Sequence, residues 1–189
     1  RVTPRQDLLL RGVTERDRVE TLLRQNGLRT ASEQSAVRNL AIACPALPTC
    51  GQALGESERV LPDLVDALEK VLADTGNTGL PLRVNMTGCP NGCARPYSAE
   101  LGVVGRSKRT YDVYVGGGSG RLAVLLRADV ALADVPELVR PVLERFAVSA
   151  EDQVSFGDWA ASVGVVAMQP WLPEPSVRRR STARARVST

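Results

Sequence analysis

The sequence of 189 residues predicts an α+β fold, a mixed α/β sandwich in which helices pack on a single mixed sheet. Strand and helix patterns alternate along the chain, yet they lack the strict repeat of a purely parallel sheet. Residues 58–74 carry apolar side chains at three- and four-residue spacing, which is typical of an amphipathic helix. In residues 111–115, Tyr111, Val113 and Val115 alternate with Asp112 and Tyr114, which is typical of a strand.

The chain is predicted to open with a strand and a helix. Residues 1–10 end in three leucines and have the pattern of a strand. Thr14 has the position of a helix N-cap, because two acidic residues follow it in the first turn, and Gly27 is suited to the C-terminal cap. After the helix over residues 58–74, residues 80–86 predict a strand that runs directly into a pair of cysteines.

The second half of the chain is predicted to continue with a hairpin and a helix. Residues 99–104 and 111–115 indicate two strands, and the short linker between them favours a hairpin. The glycines of residues 116–120 predict a flexible loop. Residues 134–148 have one apolar face and predict a helix, and residues 154–168 are assigned to a last strand.

The chain contains no histidine, which restricts its chemistry. A Ser–His–Asp or Cys–His catalytic centre is excluded within this chain, and so are haem and zinc sites held by histidine. A metal would therefore be bound mainly by cysteine, aspartate or glutamate. No apolar run approaches the ~20 residues that a membrane span requires, so no span is predicted.

The predicted domain covers residues 1–170, and residues 171–189 form an Arg-rich tail. Five arginines between residues 176 and 189 contribute +5 to a formal net charge of +3, so the preceding residues carry 3 − 5 = −2. Solvated disorder is the expectation for such a tail. The alternative is a segment that binds nucleic acid or an acidic partner, since clustered arginines are attracted to phosphates and carboxylates.

The four cysteines form two pairs. Five residues separate Cys44 from Cys50, three separate Cys89 from Cys93, and 38 lie between the pairs. Four thiolates are the usual ligands of a [4Fe–4S] cluster. Proline and glycine are enriched around both pairs, and they favour loops that curl closely around a bound group.

Three other interpretations of the cysteines stay open at this point. Structural zinc with four cysteine ligands is one, although zinc sites usually repeat a shorter spacing. Two disulfides are another, although a chain with an ample core has little need of them. Ordinary buried cysteines are the third, and they would leave the paired spacing unexplained.

The residues around the cysteines resemble those of sulfite reductase haemoproteins. Residues 43–51 read ACPALPTCG, and residues 87–97 read TGCPNGCARPY. Both are similar to the two cysteine motifs of that family, in the same order. The opening residues 2–8, the stretch 99–105 and the sequence SFGDW at 155–159 also fit.

This resemblance implies a fold, two cofactors and a reaction. The fold would be the C-terminal half of the duplicated nitrite/sulfite reductase fold. Cys44, Cys50, Cys89 and Cys93 would bind the [4Fe–4S] cluster, and Cys93 would bridge it to siroheme and so act as the catalytic cysteine. The reaction would be the six-electron reduction of sulfite to sulfide, as in sulfur assimilation.

The same resemblance implies partners, because most of the substrate clamp lies in the family's other half. That N-terminal half would be a separate chain or a missing segment. Electrons would come from a ferredoxin or a flavoprotein, with the ferredoxin-dependent type favoured. The location would be the cytoplasm, or the plastid stroma in a eukaryote. Nitrite reduction, or a split, non-catalytic copy in a larger complex, are the alternatives.

A few residues outside the cysteines are also candidates. By resemblance, Arg5 and Gln6 are expected to face the siroheme, and a solvated strand edge is the alternative. Asn91 is assigned to a hydrogen bond near the cofactors, with a loop-forming role as the alternative. Arg95 is expected to form a buried ion pair instead of a cofactor contact.

Overall fold

A five-stranded mixed sheet organises the structure, a computed structural model that describes residues 1–5, 7–149 and 154–174. The α+β class is therefore confirmed. The strands lie in chain order across the sheet. They are β1 (Ile42–Ala43), β2 (Val84–Thr87), β3 (Leu101–Gly105), β4 (Thr110–Val115) and β5 (Val124–Ala131).

Six α-helices and four short 3₁₀ turns connect and cover the strands in the described part of the chain. The helices are α1 (Arg16–Gln25), α2 (Ala36–Leu40), α3 (Leu61–Asp74), α4 (Val135–Ser149), α5 (Phe156–Val163) and α6 (Val165–Met168). The turns are Ala31–Glu33, Pro96–Ser98, Leu132–Asp134 and Gln169–Trp171. Within the described residues, no helix is both long enough and apolar enough to cross a bilayer.

Strands β1, β2 and β3 run parallel, whereas β3, β4 and β5 run antiparallel. Helix α3 supplies the crossover from β1 to β2. The second crossover, from β2 to β3, is the loop that contains Cys89 and Cys93. Because all three parallel strands end at the same edge of the sheet, whatever follows β1 and β2 is brought together there.

One face of the sheet and the helices form the hydrophobic core. Val84 and Met86 point to this face from β2, and they pack with residues of α3 and α4. Phe146, Phe156 and Trp159 extend the core as a set of edge-to-face and tilted rings. The apolar stripes of α3 and α4 that predicted these helices are the surfaces they bury, namely Leu64, Val65, Leu68, Val71 and Leu72 in α3 and Leu138, Val139, Val142, Leu143 and Phe146 in α4.

On β2 the opposite face of the sheet is polar, and the second cysteine loop folds back over this face. Asn85 and Thr87 point to this side of β2. The Pro96–Ser98 turn packs against Gly102 of β3, where a Cβ atom would lie only 2.3 Å from the Pro96 carbonyl oxygen. Glycine at position 102 is therefore a condition for this close approach.

Several sequence predictions are confirmed and several are wrong. The hairpin of β3 and β4 and the helices α3 and α4 are confirmed to within a few residues. The strand assigned to residues 154–168 is wrong, because Ser155 caps α5 by accepting a hydrogen bond from the Asp158 N–H, and α6 follows. Strand β5 was not predicted, since its buried positions do not alternate regularly.

The opening segment also differs from its prediction. Within the described part of residues 1–10, only an isolated bridge between Val2 and Leu8 has β character. Helix α1 is capped by Glu15 instead of Thr14, and this cap has no side-chain hydrogen bond. Gln6 and most of the tail predicted over residues 171–189 lie outside the described residues.

We predict that Leu68→Ala lowers the free energy of unfolding by about 2–5 kcal/mol, because Leu68 is fully buried and its truncation leaves a cavity. The measurement is urea unfolding followed by circular dichroism. Leu22→Ala is the matched control, since Leu22 is 50% exposed and should change stability by about 0.5 kcal/mol at most. Equal losses for the two variants would contradict the assigned core.

Candidate metal centre

The topology brings the two cysteine motifs to one edge of the sheet. Cys44 directly follows Ala43, the last residue of β1. Cys89 follows Thr87, the last residue of β2, with only Gly88 between them. Ala43 pairs with Met86 in the parallel ladder, so the two chain segments leave the sheet side by side. In open sheets, the carboxyl ends of parallel strands are where ligands usually bind.

Hydrogen bonds at Gly88 join the two cysteine loops. The Gly88 carbonyl oxygen accepts hydrogen bonds from the N–H groups of Leu54 (2.8 Å) and Gly55 (2.9 Å), which follow the first pair. The Gly88 N–H donates to the Sγ atom of Cys44 at 3.3 Å. Such N–H···S bonds favour the thiolate and are among the factors that set cluster potentials. Gly88 is therefore the junction between the motifs.

The junction is packed so closely that no side chain fits at Gly88. A Cβ atom there would lie 2.5 Å from the Ala46 Cβ and 2.6 Å from the Gly55 carbonyl oxygen. From the other side, a Cβ on Gly105 of β3 would lie 2.4 Å from the Gly88 carbonyl oxygen. Glycine is thus required at both positions for the loops and the sheet edge to meet.

The four thiols differ in exposure. Cys89 is buried, Cys44 and Cys50 are half-buried, and Cys93 is exposed. All four are free, so they form no disulfide with one another. Within the described part of the chain, no three Cys, Asp or Glu side chains converge in an arrangement that could hold a metal ion. The structure brings the motifs together, and ligation would require the thiol side chains to turn towards a common point.

The residues present fit a thiolate-bound metal cluster. The donor set is purely sulfur, which suits iron–sulfur clusters and also zinc. Thr87, immediately before Gly88, is fully buried, and its Oγ1 has no hydrogen-bond partner within the described residues. A buried hydroxyl without a partner costs about 1–3 kcal/mol. This edge of the sheet therefore presents sulfur ligands. It also presents the buried Thr87 hydroxyl, which has no partner in the described part of the chain and is available to a bound group.

The second cysteine loop is shaped by two residues with positive φ, Gly92 (70°) and Arg95 (58°). The Tyr97 hydroxyl donates to the Pro90 carbonyl oxygen at 3.0 Å and so closes the loop. Burial raises the pKa of Tyr97, and the neighbouring Tyr114 raises it further, so this donor keeps its proton at neutral pH. Asn91 is exposed at the tip of the loop.

The expected buried ion pair of Arg95 is wrong. Its side chain is exposed, and only its backbone is anchored, through its carbonyl oxygen, which accepts a hydrogen bond from the Asn85 side chain at 3.0 Å. Asn85 comes from the polar face of β2. Arg95 is thus fixed by its backbone and presents a positive charge to the surface beside Cys93.

Arg5 lies at the other edge of the sheet, away from the cysteines. Its guanidinium donates to the Leu40 carbonyl oxygen at 2.6 Å, just before β1 begins. It lines a cavity of about 560 Å³ together with Arg83 and Glu100. The Nε atom of Arg83 is buried and has no hydrogen-bond partner in the described part of the chain. Gln6, its predicted companion, lies outside the described residues.

Sequence reasoning missed two buried polar residues that hold the sheet to the segments around it. The buried Glu100 carboxylate accepts hydrogen bonds from the N–H groups of Arg83 (2.8 Å) and Gly157 (3.1 Å) and so ties β3 to β2 and α5. Ser57, also fully buried, donates to the Met86 carbonyl oxygen at 2.8 Å. Glu100 lies in the stretch 99–105 and Ser57 follows the first cysteine motif, but sequence alone does not reveal that they are buried.

Comparison with known proteins identifies several similar chains. Residues 33–178 match the family described as the nitrite and sulphite reductase 4Fe-4S domain. Sulfite reductase [NADPH] hemoprotein beta-component of Nitrosomonas europaea is 40% identical over 170 residues, which cover 88% of this chain. The protein of the same name from Acidithiobacillus ferrooxidans is 42% identical over 182 residues, which cover 94%.

Among solved structures, the NirA protein of Mycobacterium tuberculosis superposes with a TM-score of 0.76 at 25% identity, over 89% of this chain and 33% of that one. The chain spans only about a third of the length of these relatives, 30% of the Nitrosomonas protein and 32% of the Acidithiobacillus protein.

We predict that Gly88→Ala strongly lowers the iron content of the purified protein, because the added Cβ would force the two cysteine loops apart. Gly51→Ala is the matched control. Gly51 directly follows Cys50, but a Cβ there would meet nothing within 4 Å. Iron and acid-labile sulfide would be determined per chain. A Gly88→Ala protein with the same iron content as the Gly51→Ala protein would show that iron binding does not depend on the close approach at Gly88.

Proposed function

Since the chain belongs to the nitrite and sulphite reductase 4Fe-4S domain family, we propose that Cys44, Cys50, Cys89 and Cys93 bind a [4Fe–4S] cluster. The observation that carries this proposal is the meeting of both cysteine loops at Gly88, at the ends of adjacent parallel strands. The family membership favours the cluster over zinc, which the thiol donors alone would also accept.

We further propose that Cys93 bridges the cluster to siroheme. A bridging thiolate must face a group that lies beyond the loop carrying it, and Cys93 is the exposed member of the four. When bound, the joined cofactors would supply the electron-transfer and substrate-reducing chemistry. The protein's part is to hold the sulfur ligands, to donate hydrogen bonds to them, and to fix the loop through Tyr97.

The proposed reaction is the six-electron reduction of sulfite to sulfide. The relatives named sulfite reductase support this substrate. This chain would provide the cluster side of the active site, and the N-terminal half of the enzyme would provide the remaining substrate contacts. Nitrite is the second candidate substrate, because the matching family includes nitrite reductases by its description. Steady-state rates of the complete enzyme with sulfite and with nitrite separate the two.

Arg5 and Arg83 are proposed to pair with siroheme carboxylates. Both line the cavity at the amino-terminal edge of the sheet, and the Arg83 Nε lacks a partner within the described residues. Strand β2 has four residues, so it spans about 13 Å between this cavity and the cysteine edge. Gln6 and Asn91 stay predictions as cofactor contacts.

Absorption spectroscopy of the protein purified in its native complex tests the proposal. Siroheme and iron–sulfur bands are expected together. A complex that contains neither iron nor siroheme would contradict it and would favour a structural subunit without catalysis.

We predict that Cys93→Ser and Cys44→Ser have different effects. Cys93→Ser should abolish the electronic coupling between cluster and siroheme, because it removes the proposed shared sulfur. Cys44→Ser should chiefly destabilise the cluster, because it removes one sulfur ligand, the same Sγ atom that accepts the Gly88 N–H. Electron paramagnetic resonance of the reduced proteins measures both effects. Indistinguishable spectra for the two variants would refute the assignment of the bridge.

A further inference from the structure

The turn between β3 and β4 is strongly basic. Its sequence is Arg106-Ser107-Lys108-Arg109, which places three positive charges and no negative charge in four residues. All four residues are exposed. Residues 1–175 carry a net charge of −2, so this turn contrasts with the body of the protein.

The basic turn lies against the candidate metal centre. Strand β3 is parallel to β2, so the turn that follows it emerges at the same edge as the cysteine motifs. Gly105, the residue before the turn, packs on the Gly88 carbonyl group. On the other side, Gly55 packs so closely on Ser107 that a Cβ there would lie 2.8 Å from the Ser107 carbonyl oxygen. The turn therefore contacts the segment after the first cysteine pair, and the residue before it, Gly105, contacts the start of the second cysteine loop.

Hydrogen bonds fix the backbone of the turn. The Ser107 hydroxyl accepts from the N–H groups of Arg109 and Thr110, each at 3.2 Å. The Thr110 carbonyl oxygen accepts from the N–H groups of Arg106 (2.9 Å) and Ser107 (3.1 Å). The charges are thus carried by a well-bonded hairpin turn whose position relative to the cysteines is set by the sheet.

Most of the positive charge is not neutralised. Arg106 approaches Asp112 at 3.5 Å, but its side chain is 60% exposed. Lys108 and Arg109 have no ion-pair partner within the described ranges. Arg95 adds another exposed positive charge beside Cys93. Glu58 is exposed after the first motif. It is next to Arg59 in the sequence, so these two residues together add no net charge.

We propose that residues 106–109 form the docking surface for an acidic electron-donor protein. This inference rests on the proposed cluster at the cysteines. A protein donor must dock close to the centre that it reduces, and complementary charge raises the association rate and orients the encounter. The basic turn is an exposed cationic segment that lies beside both cysteine loops, directly at Gly55 and through Gly105 at Gly88, so it meets both requirements.

The test uses the complete enzyme and the variant Lys108→Glu/Arg109→Glu. Stopped-flow absorbance follows reduction of the cluster by a reduced, acidic [2Fe–2S] ferredoxin as the probe. We expect the bimolecular rate to fall by about tenfold or more at low salt, and the difference to shrink as the ionic strength rises. Reduction by photoreduced deazaflavin, a small uncharged reductant, should be unchanged.

The matched control is Arg11→Glu/Lys70→Glu, which reverses two exposed charges away from the turn. Lys70 lies in the second half of α3, which leads from the cysteine edge to the opposite edge. A similar fall in the rate of reduction by ferredoxin in the control would show that the effect depends only on net charge. That result would overturn the proposal. An unchanged ferredoxin rate in Lys108→Glu/Arg109→Glu would also overturn it.

Two further outcomes are distinguishable. If deazaflavin reduces no iron–sulfur chromophore in the unaltered enzyme, the proposed cluster fails and the docking surface fails with it. If Lys108→Glu/Arg109→Glu instead separates this chain from the rest of the enzyme in size-exclusion chromatography, the turn belongs to an internal interface. A reducible cluster with a normal ferredoxin rate overturns only the docking surface.

Discussion

The close approach at Gly88 is the constraint on which the rest of the site depends. The Gly88 carbonyl oxygen accepts two N–H groups from the segment after the first cysteine pair, the Gly88 N–H donates to the sulfur of Cys44, and Gly105 of β3 packs on the Gly88 carbonyl group. The first cysteine loop can approach this closely because Gly88 has no side chain, and β3 can do so because Gly105 has none. The two cysteine pairs are 38 residues apart in sequence, and this junction is what makes them neighbours in space.

The sheet provides the geometry that makes this junction possible. Parallel pairing of β1, β2 and β3 directs three chain segments to one edge. The helices cover the apolar face, so the core is completed without using the polar face or the cysteine edge. The edge can therefore carry sulfur ligands, a basic turn and a Thr87 hydroxyl without a hydrogen-bond partner among the described residues, without loss of core packing. One face of the sheet therefore provides the core packing, and the carboxyl-terminal edge of its parallel strands provides the candidate ligands.

Local patterns in the sequence predicted much of the fold and the ligand residues. The helices α3 and α4 and the β3–β4 hairpin follow from residue periodicity and turn length, which are properties of short segments. Strand β5 and the helical state of residues 156–168 depend on packing against distant parts of the chain, so periodicity alone missed them. The same limit applies to Arg95, whose exposure depends on how the second cysteine loop folds and not on its neighbours in sequence.

The central claim is that the four cysteines together hold one iron–sulfur cluster at this edge. Mössbauer spectroscopy of the protein purified without added metal, combined with metal analysis, tests it most directly. We expect about four iron atoms per chain in a [4Fe–4S] signature. About one zinc atom per chain, with no iron signal, would contradict it, because four thiolates would then form a structural zinc site.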